Sequence, residues 1–274
     1  MDADSLYRDL LFRYRAAAAK RDSSFLRTRQ VRDLTVIELI GDLSLVVAID
    51  SDGGIGPKPH DVVQSSGYLC GRFATRVPLM EIVACGAVPV AAFDALAVEM
   101  EPLGREIIRG VRDELSSIGL RSDFPLSGST EDNVPTSQTG IGMVVLGIAE
   151  ESRFRPGRAR QHDIVYCVGV PKSGPRHEVV LGDPEIAAAV AVLDAADVEG
   201  VHDILPVGSR GVTYEANQLA ASARMGFSVS MECPIDLGAS AGPSTCFLVS
   251  AEEGRADILR ERIQKPVAIV GRIV

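Results

Sequence analysis

The sequence predicts an α+β fold on three observations. Runs rich in β-branched residues alternate irregularly with stretches at helical spacing in both halves of the chain, which suits α+β better than a doubly wound parallel sheet. Two such runs, Leu34 to Ile40 and Leu43 to Ile49, are separated only by Gly41-Asp42, a strong hairpin signal. Neither a Walker A sequence nor a G-x-G-x-x-G occurs, which disfavours the familiar nucleotide folds.

The elements follow in order. Leu6, Leu10, Leu11 and Tyr14 recur at helical spacing over residues 4 to 20, with Asp4 as a cap. After the hairpin come a helical stretch from about His60 to Gly86 interrupted at Pro78, an apolar strand from Val88 to Val98, and an amphipathic helix from Leu103 to Ile118 stopped by Gly119. A short segment ends in the polar loop Ser127 to Asn133, and Ile141 to Ala149 is a further strand. Glu150 to Arg160 gathers charge, Pro and Gly, as a domain connection does, so a boundary is expected near 152 to 162. Beyond it, strands are expected at Ile164 to Val170, 202 to 207, 227 to 231, 244 to 250 and 266 to 273. Helices are expected from Asp183-Pro184 to about Ala195, at 212 to 225 and at 252 to 263.

The 274 residues suffice for two domains, and 46% hydrophobic with 24% charged residues is a globular balance, not a disordered one. A net charge of −9 argues against a nucleic-acid partner and requires a bridging cation beside any bound polyanion. Five cysteines without a C-x-x-C pair read as reduced, mostly buried thiols. The acidic start Met-Asp-Ala-Asp lacks the features of a signal peptide, and the longest apolar run, Ile82 to Val98, is too short to span a bilayer. A cytoplasmic protein without membrane contact is therefore expected.

Most informative is Ala48-Ile-Asp-Ser-Asp-Gly-Gly-Ile-Gly-Pro-Lys58. Asp50 and Asp52 alternate on an extended backbone, point the same way, and can share a hard cation. Gly53, Gly54 and Gly56 would let a polyphosphate approach the backbone amides, and Lys58 could neutralise part of its charge. The same residues also suit an ordinary turn. Gly128-Ser-Thr-Glu-Asp-Asn133 repeats this chemistry, with Glu131 and Asp132 able to bind Mg²⁺ directly or through water, and it too suits a solvated loop. Gly238-Ala-Ser-Ala-Gly242 matches a nucleophile elbow, but Pro243 and a strand follow where a helix is needed. None of the four histidines is spaced for zinc.

On these segments the chain resembles the AIR synthetase-like (PurM-like) ATP-binding superfamily, which includes aminoimidazole ribonucleotide synthetase, thiamine monophosphate kinase, selenophosphate synthetase and the carbamoyl-dehydrating hydrogenase maturation factor. The family's strand ending Asp-x-x-x-x-Gly appears as Ile49-Asp50-Ser-Asp52-Gly-Gly-Ile-Gly56. Its helix end appears as Cys85-Gly-Ala-Val-Pro89, and its Gly-x-Thr loop as Gly128-Ser129-Thr130. Within the superfamily the chain is most similar to the α-ribazole kinases of cobamide salvage, on Asp50 to Lys58 with His60-Asp61, on Gly128 to Asn133 with Pro135, and on Ala241-Gly-Pro-Ser-Thr245.

The resemblance implies an N-terminal domain (1–152) whose strands pair with a second subunit in a dimeric β-barrel, followed by a C-terminal α+β domain (160–274). It implies ATP in the cleft between them, with Mg²⁺ held by Asp50, Asp52, Glu131 and Asp132 and by Glu81. The triphosphate would be held by Lys58 and the glycines 53 to 56, with Gly128, Ser129 and Thr130 around it. Asp52 or Asp61 would take the proton of an attacking hydroxyl. The acceptor would be a small nucleoside-like alcohol, α-ribazole. Alternatives are an ATP-binding protein without turnover, AIR synthetase or thiamine monophosphate kinase. Gly208-Ser-Arg-Gly211 could hold an anion, or merely cap a helix. Met80-Glu81 replaces the Asn-Asp of many members, and Ser129 stands at the Asp of the thiamine monophosphate kinase loop, so thiamine phosphate is less favoured. No Cys lies near residue 20 and no cysteine tail follows Ile273-Val274, so selenophosphate synthesis and hydrogenase maturation lose support.

Overall fold

A computed structural model describes residues 3–20, 27–39 and 41–274. The first half comprises α1 (Ala3–Lys20), β1 (Thr28–Val31), β2 (Leu34–Glu38), β3 (Leu43–Gly53), β4 (Ile55–Gly56), β5 (Val63–Gln64), α2 (Gly67–Ala84), β6 (Val88–Leu96), α3 (Arg105–Ser116), β7 (Leu126–Thr130) and β8 (Gly140–Glu150). Six of its strands form one sheet in the order β1-β2-β3-β8-β6-β7. The sheet is open, with β1 and β7 at its edges, and no closed barrel is seen among the described residues.

Alternation decides what each face of this sheet does. Val46 and Ala48 on β3, Met143 and Val145 on β8, and Ala92 and Leu96 on β6 are buried toward α2 and α3. Asp50 and Asp52 continue the buried row of β3 beyond Ala48. The opposite face leaves Ile49, Val88, Val90 and Phe93 exposed.

The hairpin is present, with Ile40 outside the described residues, and Asp4 falls inside α1 instead of capping it. Helix α2 starts at Gly67, seven residues after His60, because Ser66 supplies the cap: its hydroxyl accepts from the Leu69 N–H at 3.3 Å. It continues through Pro78, where the missing N–H deprives a single carbonyl of its donor and tertiary packing on both sides compensates. Leu126–Thr130, read as part of a loop from sequence, is a strand parallel to β6.

Glycines set the α2–α3 crossing. A Cβ on Gly71 would lie 2.0 Å from the Ile107 carbonyl oxygen, and one on Gly110 would lie 2.1 Å from that of Tyr68. Glu114 of α3, fully buried, is satisfied by Arg72 (2.6 Å) and Arg76 (2.8 Å) of α2. Gly71→Ala is therefore expected to destabilise by about 2–3 kcal/mol, although alanine favours the isolated helix by about 1 kcal/mol. Urea unfolding checks this, and an unchanged midpoint would contradict the close crossing.

The second half comprises β9 (Ile164–Gly169), α4 (Ala189–Ala196), β10 (Val201–Pro206), α5 (Val212–Ser222), β11 (Phe227–Val229), β12 (Cys246–Ala251), α6 (Ala256–Ile263) and β13 (Val267–Ile273). Its strands form an antiparallel sheet in the order β10-β12-β9-β13-β11. Strands β9 and β12 are buried at every position because both faces are covered. Val165, Cys167 and Leu248 pack with Val212, Ala216 and Leu219 of α5. Tyr166, Phe247 and Val249 pack with α4, α6 and the core beneath the first sheet, so one apolar core runs through both halves.

Helix α4 begins at Ala189, not at Asp183. Asp183 instead pairs with Lys172 at 2.8 Å and accepts from the Glu185 N–H, holding a loop. No strand enters and no helix leaves Gly238–Gly242, so the elbow reading falls. All five cysteines are free thiols, four of them buried.

Candidate functional site

A cavity of ≈ 930 Å³ opens between the two halves. One wall is built from Asp50, Ser51 and Asp52 at the end of β3, the small β4–β5 ladder, and Leu69, Cys70, Phe73 and Val77 of α2. The other wall comes from three loops of the second half, 173–180, 208–209 and 238–244, rich in Ser and Gly. Its size falls in the range of small-ligand and cofactor sites.

Strand alternation turns Asp50 and Asp52 onto the same face, and among the described residues neither joins an ion pair. Burial raises the Asp50 carboxyl, with repulsion from Asp33 adding to it. Burial, then the charge of Asp50, pushes Asp52 up to about 6. Glu81 on α2, which keeps a little solvent contact, is pushed up to about 8 by burial, with Asp33, Glu215 and Asp50 raising it further and Arg32 opposing. Glu215 is raised to about 7, mainly by burial.

Four carboxyls are thus held above their ordinary range by burial and mutual repulsion, with Arg32 opposing the shift at Glu81 and Glu215. Asp50 and Asp52 suit Mg²⁺, which prefers one or two carboxylates plus water and phosphate oxygens to a closed protein cage. No three metal-binding side chains converge on one point among the described residues.

These shifts carry a stability signature. A carboxyl whose folded pKa is raised stabilises fully below its unfolded value, and that contribution is lost as pH rises through the folded value. For Glu81 the window runs from 4.5 to about 8. Metal-free protein in EDTA is expected to lose melting temperature from pH 5 to 8. Glu81→Gln should recover about 1–2 kcal/mol at pH 8, or about 2–6 °C, after allowance for its remaining exposure. A flat wild-type profile would contradict the acid cluster.

Other residues singled out from sequence have different duties. The Lys58 ammonium sits 2.5 Å from Glu99 and 2.9 Å from the Thr136 carbonyl oxygen, and the lysine is absent from the cavity lining. Asp61 is a clasp. Its oxygens accept from the N–H groups of Lys58 and Thr139 at 2.8 Å each and from the Thr139 hydroxyl at 2.7 Å, so both are already engaged within the chain. Gly56 is required by that clasp, since a Cβ there would fall 2.2 Å from the Thr139 hydroxyl oxygen. The Gly54 N–H already donates to the Thr139 carbonyl. Gly53, paired with Gly140 in the ladder, has open space beside it.

Gly128, Ser129 and Thr130 line a second cavity of ≈ 370 Å³ with Asp94, Met100 and Arg112. The ladder puts Asp52, Ile141, Leu96 and Thr130 in one row, so Thr130 stands at the same end of the sheet as Asp52 but three strands away, about 14 Å. Asp132 accepts from the Met100 N–H and the Thr130 hydroxyl, and Glu131 from the N–H groups of Asn133 and Val134. Within one chain, then, the 128–132 segment does not join Asp50 and Asp52 in a single pocket.

In the second half Gly208 and Ser209 do reach the cavity, but Arg210 stacks on Tyr214 at 4.6 Å and the Glu215 carboxylate takes the Gly208 N–H. Of the two readings left open for this turn, anion holder or helix cap, the anion position at Gly208 is taken by the chain's own carboxylate. Sequence reasoning missed Phe73, Glu215 and the entire 173–180 loop; its one visible signal was Ser-Gly-Pro-Arg-His between a strand and a helix.

Residues 32–149 match the family described as AIR synthase related protein, N-terminal domain. No curated protein matches the chain. Among solved structures, thiamine-monophosphate kinase from Stenotrophomonas maltophilia K279a superposes with a TM-score of 0.60 at 17% identity, covering 97% of this chain and 93% of that one. E. coli HypE, a hydrogenase maturation protein, gives 0.61 at 14%, covering 83% and 79%. T. maritima PurL complexed with AMPPCP gives 0.60 at 17%, covering 87% of this chain but 42% of that one.

Proposed function

The chain has a PurM-like α+β fold, and from it we propose a Mg²⁺- and ATP-dependent phosphotransferase acting on a small nucleoside-like alcohol. The observation that carries this reading is the pair of unpaired carboxylates, Asp50 and Asp52, in the wall of a cavity large enough for a nucleotide and an acceptor. Two structural neighbours support it in kind: one is a kinase by name, and another was captured with AMPPCP.

In this reading Asp50 and Asp52 hold Mg²⁺, with Glu81 behind them. When bound, the ion would screen the phosphate charge and align the terminal phosphoryl group for in-line attack. Asp52, at about 6, is the carboxylate suited to take a proton near neutral pH. Leu69, Phe73 and Val77 give an apolar wall on which a base-like ring can lie, and Ser173, Ser209, Ser240 and Ser244 offer hydroxyls to a ribose. Glu131, Asp132 and the Gly128–Thr130 strand end would serve only in another arrangement, such as across two subunits.

The acceptor proposed is α-ribazole, on sequence likeness alone. The homodimer is proposed on the exposed apolar row Ile49, Val88, Val90 and Phe93, which a second copy's sheet would cover by closing a barrel. We also propose domains of 1–152 and 160–274, in keeping with the two sheets. No helix among the described residues is long and apolar enough to cross a membrane.

Purified protein with Mg-ATP tests the reading. ADP release that depends on added α-ribazole is expected. Release that depends on thiamine monophosphate instead would transfer the assignment to that kinase, and tight ATP binding without ADP under any acceptor would leave a binding protein.

A further inference from the structure

The cations that sequence offered for phosphate are engaged elsewhere: Lys58 by Glu99, Arg210 by the Tyr214 ring. Even with a cation held by Asp50 and Asp52, a phosphate in this cleft calls for a positive group on the facing wall. Among the described residues lining the cavity, the one permanently charged cation is Arg176.

Arg176 lies on a strap, residues 173–182, that has no regular secondary structure. The strap's two ends are pinned together. The Lys172 ammonium bonds Asp183 at 2.8 Å and Glu185 at 2.7 Å, the Lys172 N–H donates to the Thr245 hydroxyl at 2.8 Å, and Lys265 holds the Asp183 carbonyl at 3.0 Å. At its start a tight turn forms, with the N–H groups of Arg176 and His177 both donating to the Ser173 carbonyl. The Ser173 N–H donates to His177 Nδ1 at 3.3 Å. Ser173 through Val180 all face the cavity, whereas the Arg176 guanidinium is exposed and makes no hydrogen bond, ion pair or ring contact among the described residues. A rooted strap with a free cation over an acidic cleft has the build of a clamp.

We propose that Arg176 is the phosphate-binding cation of the cleft, taking a terminal phosphate from the second half of the chain while Asp50 and Asp52 face it from the first. A guanidinium suits this task because its planar fork can bind two oxygens of one dianionic phosphate. Glu178, also in the lining, keeps the strap close to neutral, so without a phosphate nothing draws the strap onto the acidic wall. The ligand class is a phosphate ester, whether the terminal phosphate of a nucleotide or that of a phosphorylated acceptor. Only this ligand identity rests on the phosphotransferase reading.

Two measurements on the full chain test it. Calorimetry compares wild type, Arg176→Gln and Arg176→Lys for two probes: AMP-PNP with Mg²⁺, and ribose 5-phosphate without nucleotide. Arg176→Gln is expected to weaken one of them by about 10- to 100-fold, with lysine restoring part of the loss; the probe affected identifies the source of the phosphate. In wild type the same probe should slow trypsin cleavage at the Arg176–His177 bond, read from fragment masses. The inference is overturned if Arg176→Gln binds both probes as wild type does, if neither probe slows that cut, or if wild type binds neither. Should AMP-PNP fail to bind while ribose 5-phosphate binds through Arg176, the nucleotide reading falls and the clamp stands. Should ADP release survive Arg176→Gln with unchanged affinities, the clamp falls and the nucleotide reading stands.

Discussion

Asp52→Asn is expected to lower acceptor-dependent ADP release by about 10³-fold, the larger part of what a general base and metal-binding carboxylate supply together. The substitution keeps the shape of the side chain, so the fold should survive: Asp52 sits at the end of β3 with no hydrogen-bonded partner to lose among the described residues. Removing one of two adjacent charges also relieves Asp50, whose charge is what lifts Asp52 beyond the effect of burial. The variant should therefore melt at or slightly above the wild-type temperature without metal while losing Mg²⁺ affinity. In wild type the acid limb should fall as pH drops from 7 to 5 through about 6, because the carboxylate form is the active one. Raising Mg²⁺ should push that limb to lower pH, since the cation competes with the proton. A variant that keeps more than a tenth of the rate would show that the chemistry lies elsewhere.

How much of this was legible in the sequence depends on the range of each interaction. The pairing of Asp50 with Asp52 was readable because strand alternation is a local rule, and β3 obeys it through both residues. The hairpin, α3 and the strands around β8 were readable for the same reason. Strand order is not local. Whether Thr130 meets Asp52 depends on β8 and β6 being inserted between them, which no spacing along the chain reveals.

The fates of Lys58 and Asp61 are also non-local, since their partners Glu99 and Thr139 lie 41 and 78 residues away. A glycine-rich, acidic turn looks the same whether its amides await a phosphate or, as at Gly54, already bond the segment that leads into β8. The strap carrying Arg176 left still less of a trace, because a loop has no periodicity and its place over the cleft is set by the Lys172–Asp183 pin.

The second large effect is expected at the seam between the two halves. Arg32, in the β1–β2 turn, reaches β10 and bonds Asp203 twice, at 2.5 and 3.1 Å, while also donating to Ser222 at 2.7 Å. Both side chains are almost wholly out of solvent, at 4% and 0% exposure, so neither charge can turn to water if its partner is lost. Asp203 further accepts from the N–H groups of Gly157 and Ile204, tying the connecting segment to the same point.

Asp203→Ala should therefore cost about 3–5 kcal/mol and about 6–15 °C in melting temperature, because it strands a buried guanidinium and two N–H groups. Replacing the pair by Arg32→Met with Asp203→Leu should recover much of that loss, since an apolar pair of similar volume carries no uncompensated charge. The double variant would keep the halves together but remove the cation that opposes the upward shifts of Glu81 and Glu215. Its melting temperature should thus decline more steeply between pH 5 and 8 than that of wild type. Calorimetric melts of the three proteins across that range decide the matter, and an Asp203→Ala variant as stable as wild type would mean that the ion pair does not hold the halves around the cleft.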